Sequence, residues 1–386
     1  MTKRVFIIVL DSFGIGEQHD AKTFGDEGAN TLRSIRFCDE FNAPNLTKLG
    51  LFNIDGVGGG IGNPLGSFAK MTEKSMGKDT TVGHWEIAGV ISPKPMPTFS
   101  DGFPDEIIKE FEQKTGRKVI CNKPYSGTDV IKDYGNEHLK TGALIVYTSV
   151  DSVFQIAAHT DIVSEEELYS YCKIARSILV GDNGVGRVIA RPFAGEYPYK
   201  RTSGRHDYSI KPPKKTLLDV LSEKGLEVIS IGKIYDIFAG CGIITAQRTV
   251  SNDDGMDKTI AFAKSDFKGL CFTNLVDFDT VYGHRNDYIG YARAVAEFDV
   301  KLGELIKVLR SDDILIITAD HGCDPKTEGT DHTREHTPMI IFGANIKQGV
   351  NLKTRDSFAD IASTVLDAFG IDERLDGKSF YSQVKR

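Results

Sequence analysis

The sequence predicts an α/β protein: a mostly parallel sheet flanked by helices, with a smaller α+β domain inserted into it. Three observations lead there. Short apolar runs that read as buried strands alternate with longer segments of helical periodicity. Three of those runs end at or just before an aspartate, on the edge where open α/β sheets bind ligands. Two proline-rich crossings, Ile91–Pro97 and Lys211–Lys215, punctuate the chain as the two strands of a hinge would.

At 386 residues the chain is long for a single core. The expected division is a core domain of residues 1–96 and 214–386, with the insert spanning residues 97–213. A hydrophobic content of 40% with 26% charged residues is ordinary for a soluble protein. The net charge of −7 gives no general attraction to nucleic acid or anionic membrane. No apolar run approaches a membrane span, and Val5–Leu10 is too short for the apolar region of a signal peptide. The six cysteines form no CxxC pair and no regular framework, which suits a reducing cytoplasm. The expectation is a cytoplasmic protein whose partners are neither nucleic acid nor membrane.

In the core, Val5–Leu10 reads as a central strand, followed by Asp11-Ser12 and the turn Gly14-Ile15-Gly16. Asp11 alone would serve as well for a helix cap. Gly77–Glu86, GKDTTVGHWE, crowds Lys, Asp, His and Glu around two threonines and reads as a polar loop. Beyond the second crossing come a helix Thr216–Glu223 closed by Gly225, a strand Leu226–Ile231 followed by Gly232-Lys233, and a helix Gly255–Lys264. The strand Leu270–Val276 leads into Asp279 and His284. A long amphipathic helix follows, from about Asn286 to Arg310, with Ile289, Ala292, Val295, Ala296, Leu302, Leu305, Ile306 and Leu309 expected on its core face. The strand Ile314–Thr318 stops at Asp320-His321, with His332 on the loop beyond. Pro338–Phe342 is a further strand and Ser357–Phe369 the expected closing helix.

In the insert, Pro104–Gly116 reads as an amphipathic helix, and Ala143–Thr148 and Arg187–Arg191 as strands. Ser164 to Glu167 has the pattern of a capping box, opening a helix to about Leu179. Ser149 and Asp151 follow the first strand, and Arg191 ends the second. Lys200, Arg201, Arg205 and His206 form a basic cluster in a turn-rich stretch. In an acidic chain such a cluster suits a phosphate if it faces a cleft, and is a solvated loop otherwise.

Three strand-end aspartates accompanied by His284, His321 and His332 are hard to explain as helix caps. Three carboxylates and three imidazoles suffice for two divalent cations. Cys172 and Cys271 read as core packing, whereas Cys323 stands close by and is the one cysteine to test as a ligand, though not an expected one. Beside such cations the Thr80-Thr81 loop gains a purpose, since a metal-ligated threonine alkoxide would be a competent phosphoryl acceptor.

The segments VLDSFGIGE, GKDTTVGHWEIAG, NLVDFDTVYGHR, ITADHG and GTDHTRE resemble the alkaline phosphatase superfamily. With NKPYSGTD, YTSVDSVFQIAAH, GRVIARPF and GRHDY, the chain is similar nearly end to end to the bacterial phosphopentomutases. The resemblance implies an alkaline-phosphatase-like core with the insert as its cap. It implies one cation held by Asp11, Asp320, His321 and the Thr80 oxygen, and a second held by Asp279, His284 and His332. Thr80 falls on the nucleophile. Ser149, Asp151, Arg191, Arg205, His206 and Lys233 fall where the family meets its sugar phosphate. The implied reaction interconverts ribose 1-phosphate and ribose 5-phosphate, and the 2-deoxyribose pair, through a phosphothreonine and a bisphosphate. Closure of the cap would exclude water from the phosphoenzyme. Two Mn²⁺ ions are implied, with Mg²⁺ or another divalent cation as substitutes, together with a sugar 1,6-bisphosphate activator and a monomeric state. Cofactor-independent phosphoglycerate mutases, phosphodiesterases and plain phosphatases share the metal scaffold and differ in the cap and the GKDT loop. A sugar-phosphate sensor without catalysis would keep the metals for structure alone.

Overall fold

The computed structural model describes residues 2–149 and 151–386. They form two compact units, one made of the chain up to Lys94 and from Pro212 onward, the other of Pro95–Lys211. The strands in chain order are β1 (Arg4–Leu10), β2 (Ser67–Met71), β3 (Val119–Pro124), β4 (Leu144–Thr148), β5 (Val153–His159), β6 (Arg187–Ala194), β7 (Lys200–Arg201), β8 (His206–Ser209), β9 (Glu227–Ile231), β10 (Thr245–Gln247), β11 (Gly269–Leu275), β12 (Asp313–Thr318), β13 (Thr337–Phe342) and β14 (Asn351–Arg355).

The larger unit is built on a sheet of order β10-β9-β11-β1-β12-β13-β2-β14. The first five strands run parallel, whereas β13 is antiparallel to both its neighbours. β1 lies in the middle because both of its faces are apolar. Phe6, Ile8 and Leu10 join one core cluster with Tyr291, Val295 and Leu302 of the helix Tyr288–Val308. Val5, on the other face, lines an apolar seam with Val365 and Ala368 of the helix Asp360–Phe369. Each such large side chain withdrawn from water stabilises the fold by ~1.5–3 kcal/mol.

Register then decides the chemistry. Leu10 pairs with Leu275 of β11, and Val9 with Thr318 of β12. Two residues further along the β1–β12 pair, Asp11 and Asp320 arrive side by side. No helix among the described residues is long and apolar enough to cross a membrane.

Several elements differ from expectation. The long helix spans Tyr288–Val308, and its buried stripe holds Tyr291, Ala294, Phe298 and Asp299, while Ile289 is exposed. The stripe is turned toward the two aromatic residues, which bury more area than the expected small aliphatics. Asp299 is buried because its carboxylate accepts the main-chain N–H groups of Asn45 and Leu46, at the start of the helix Pro44–Leu49. The helix expected from Ser357 begins only at Asp360, because Ser357 and Phe358 donate to Glu86 instead. It is also not the closing one, since a last turn follows at Tyr381–Val384.

The smaller unit has a sheet of order β3-β4-β5-β6-β7, with β8 also pairing with β6. Helices Asp105–Thr115, Asp129–Thr141 and Glu165–Ile178 accompany it. β6 continues past Arg191 to Ala194, so Arg191 stands within the strand and not at its end. Lys200–Arg201 and His206–Ser209, expected as turns, are strands on β6. Ser164 caps its helix by accepting from Glu167 N, but the Glu167 carboxylate pairs with Arg117 and does not complete the box. A complete box forms instead at Thr216 and Asp219, ahead of the helix Leu217–Glu223.

Candidate active site

The three strand-end aspartates meet at the carboxyl edge of the larger sheet, all of them buried. Asp11 and Asp320 end β1 and β12, and Asp279 sits in a short helical turn, Phe278–Tyr282, beyond β11. The three histidines close around them. His321 Nε2 stands 3.4 Å from Asp11 Oδ1 and 3.2 Å from Asp320 Oδ2. Asp279 Oδ2 is 3.3 Å from His284 Nε2, and its Oδ1 is 3.2 Å from His332 Nε2. The rings of His321 and His332 stack with centroids 3.9 Å apart.

Two features of this cluster call for cations. Each aspartate keeps one buried oxygen without a hydrogen bond: Asp11 Oδ1, Asp279 Oδ1 and Asp320 Oδ2. The second oxygen of Asp11 accepts from Asn274 and that of Asp320 from the Ser12 main chain, so the bare oxygens are the ones turned into the cluster. The histidines are oriented to match. His284 Nδ1 donates to Thr330 O and His321 Nδ1 to Gly322 O, which leaves both Nε2 atoms facing the carboxylates. The Nε2 atoms of His284 and His332 stand 3.1 Å apart, a repulsive contact between lone pairs unless a proton or a metal mediates it. Buried carboxylate and imidazole donors in this arrangement fit divalent metal ions such as Mn²⁺. Asp11, Asp320 and His321 would hold one, and Asp279, with the Nε2 atoms of His284 and His332 that face it, the other.

The electrostatics follow. Burial pushes the Asp11 carboxyl well above its usual range, reinforced by Asp320 and Asp279. Asp320 is also raised by burial, but His321 and His84 outweigh that and hold it well below. Asp279 is held down in the same way by His332, His284 and His321 against its burial. His284 is raised to about 9, first by its hydrogen bond to Asp279. Bound cations would replace these protons as the positive partners of the carboxylates.

Thr80 opens the helix Thr80–Ile87, in a stretch the sequence presents as a polar loop. Asp79 caps that helix by accepting from Val82 N. The Thr80 hydroxyl lies 3.2 Å from His321 Nε2, at the rim of the cluster and beside the helix N-terminus, where negative charge is favoured. Gly83 explains how the helix comes so near. A Cβ there would stand 2.4 Å from the main-chain oxygen of Asp320. Behind the loop, the buried Arg334 binds Glu73, Asp20 and the Gly77 carbonyl, and Lys78 bridges Asp26 and Asp331. Ser12, at φ 70°, holds a left-handed conformation that turns its N–H onto Asp320.

Cys323 lies beside the cluster, as its place in the sequence suggests, with its sulfur within 4.8 Å of ligand atoms of Asp279 and His284. Its thiol lies 3.5 Å from Asp331 O, and burial pushes its pKa up, which disfavours the thiolate. Arg334, Asn274 and His84 were not foreseen as site residues. Asn274 was detectable as a polar residue inside an otherwise apolar strand.

The smaller unit has a site of its own, a cavity of about 420 Å³ lined by four arginines, Arg187, Arg191, Arg201 and Arg205, with Ser149 and Asp151. Arg187, Ile189 and Arg191 alternate along β6 and so share the cavity face. Asp207, held below its usual range by Arg205 against its burial, pairs with Arg205 at 2.8 Å and with Arg187 at 3.6 Å. Four guanidinium groups thus face two carboxylates, leaving an excess of positive charge suited to phosphate. Arg187 was not foreseen, and Arg201 only as part of the cluster. His206 departs from expectation. It alternates with Arg205 and Asp207 along the chain, its ring packs on Tyr169 and Tyr208, and it is not among the residues lining the cavity. Lys233 belongs to the other unit, exposed just beyond the carboxyl end of β9.

The comparisons with known proteins agree with this chemistry. Residues 3–373 match the family described as the Metalloenzyme superfamily, and the chain is a member of it. The protein of Lachnoclostridium phytofermentans named phosphopentomutase is 58% identical, over 99% of both chains. The one from Acetivibrio thermocellus is 55% identical, over 99% of this chain and all of its own. A solved structure from Pyrococcus horikoshii, 13% identical, superposes with a TM-score of 0.51 over 97% of this chain and 99% of its own, which reflects the fold. Within the superfamily, the chain belongs to the phosphopentomutase family.

Proposed function

We propose that this enzyme interconverts α-D-ribose 1-phosphate and D-ribose 5-phosphate, and the 2-deoxyribose pair, with Thr80 as the phosphoryl carrier. One observation carries the reading: three buried aspartate oxygens without hydrogen bonds face three imidazoles, with the Thr80 hydroxyl at the rim. Two divalent cations, Mn²⁺ by preference, would supply Lewis acidity toward the phosphoryl oxygens. Phosphothreonine 80 gives its phosphoryl group to the free hydroxyl of the sugar phosphate. The P–O bond to Thr80 breaks as the bond to the sugar oxygen forms, and the hydroxyl proton is released. The other phosphoryl group of the resulting bisphosphate then returns to Thr80.

The arginine cavity of the insert binds the phosphate that is not being transferred, with Ser149, Asp151, Arg191 and Arg205 among its contacts and Arg187 and Arg201 added to them. His206 and Lys233 are not among the residues that line it. Retention of the bisphosphate favours a mutase over a phosphatase. A sugar 1,6-bisphosphate loads Thr80 at the start, and the chain works as a cytoplasmic monomer. Incubation with Mn²⁺ and a sugar bisphosphate, followed by intact-mass measurement and peptide mapping, is expected to find one phosphate, on Thr80. Phosphate on Thr81 or on no residue of that peptide would overturn the assignment.

A further inference from the structure

Two polar residues beneath the cluster have no part in the chemistry above. Asn274, next to the last residue of β11, and His84, in the helix that begins at Thr80, are both buried. Their hydrogen bonds leave little choice of orientation. Asn274 Nδ2 lies 2.7 Å from Asp11 Oδ2, a carboxylate oxygen that only accepts, so the amide nitrogen must face it. The same nitrogen lies 3.2 Å from His84 Nε2 and can give it the second N–H. His84 Nε2 is then the acceptor and Nδ1 carries the ring proton. That proton goes to the main-chain oxygen of Thr80, at 2.8 Å. The same Nδ1 stands 3.1 Å from Asp320 Oδ2 without a hydrogen bond to it, presenting a positive edge while leaving that oxygen bare. Phe272 flanks the ring, with centroids 6.1 Å apart.

We infer that Asn274 and His84 are positioning residues that tie Asp11 to the main chain of Thr80 through one buried chain of hydrogen bonds. The chain joins three segments distant in sequence, the ends of β1 and β11 and the start of the Thr80 helix. It sets the nucleophile and the first cation's ligands in register before any cation arrives. This rests on the reading of Asp11 and Asp320 as ligands and of Thr80 as carrier. Removing the chain frees both carboxylates to turn and the helix start to fray, so cation affinity and Thr80 loading fall together.

The test measures Mn²⁺ affinity by the electron paramagnetic resonance signal of the free ion, and phosphorylation of Thr80 by mass spectrometry, in the wild type and five variants. His84→Asn retains an N–H near the Nδ1 position, His84→Gln reaches instead toward Nε2, and His84→Phe keeps only the ring volume. Affinity is expected to fall ~10–100-fold in His84→Phe, with His84→Asn closer to wild type than His84→Gln. A space-filling role predicts the opposite order, with His84→Phe the mildest, and that result would overturn the inference. Asn274→Leu guards against misfolding of the His84 variants. Its loss of affinity should overlap with that of His84→Phe in the double variant, because both cut the same chain, whereas full additivity would also overturn it. If the wild type itself bound no Mn²⁺, the reading of the metal centre would fail. Wild-type binding with unaltered variants would sink this inference alone.

Discussion

The buried aspartate–histidine cluster and the arginine cavity both gather like charges, but they do so in opposite ways. The cluster is closed, and its aspartates are held by groups reaching in from far along the chain, such as Ser12 N–H and Asn274. The cavity is open, and its arginines are held by near neighbours, Arg205 by Asp207 and Arg191 by Gln155. A hard cation needs fixed donors with no water to compete, whereas a sugar phosphate must enter and leave. Damage to the first should therefore abolish turnover, and damage to the second should weaken binding.

The sharpest way to break this contrast is Asp279→Asn, which withdraws the charge facing both His284 and His332. Manganese-dependent turnover is expected to fall ~10³-fold or more, as for loss of a group acting within a catalytic unit, and added Mn²⁺ should not restore it. Gly83→Ala comes next. The new methyl would meet the Asp320 carbonyl at 2.4 Å, costing ~1–3 kcal/mol in denaturant unfolding. Turnover should fall ~10²-fold from the misplaced Thr80. Arg187→Met tests the open side. KM for ribose 5-phosphate should rise ~10–100-fold, the worth of one or two charged hydrogen bonds, with Mn²⁺ affinity unchanged. A loss confined to kcat would contradict the division of labour.

The smallest effect concerns His336, just beyond the loop that carries His332, which burial and Lys70 push down to about 4. Its folded pKa lies below its unfolded one, so the neutral ring contributes stability above about pH 6.5 that is lost as pH falls through about 4. Thermal melts of His336→Gln across that window should show a shallower acid decline than the wild type.

The two sites also differ in how far the sequence revealed them. The aspartates could be read because each follows an apolar run, and a carboxylate at such a point has few other reasons to be there. The parallel sheet could be read for the same reason. The cavity could not be read in full, because membership depends on strand register. Arg187 and Arg191 share a face only because β6 runs unbroken through both, and His206 turns away because its neighbours turn in. The Thr80 helix went unseen since GKDTTVGHWE has no apolar periodicity. Its Gly83 reads as a helix breaker until the approach to Asp320 supplies the reason.

The place of β1 between β11 and β12 has a consequence for synthesis. Asp11 is made before the insert, yet its partner strands follow only after the whole insert has been made. A nascent or truncated chain ending before Asp320 would lack one of the three carboxylates altogether. Tight manganese uptake would then serve as a certificate of completed folding, giving a label-free means of separating finished molecules from fragments.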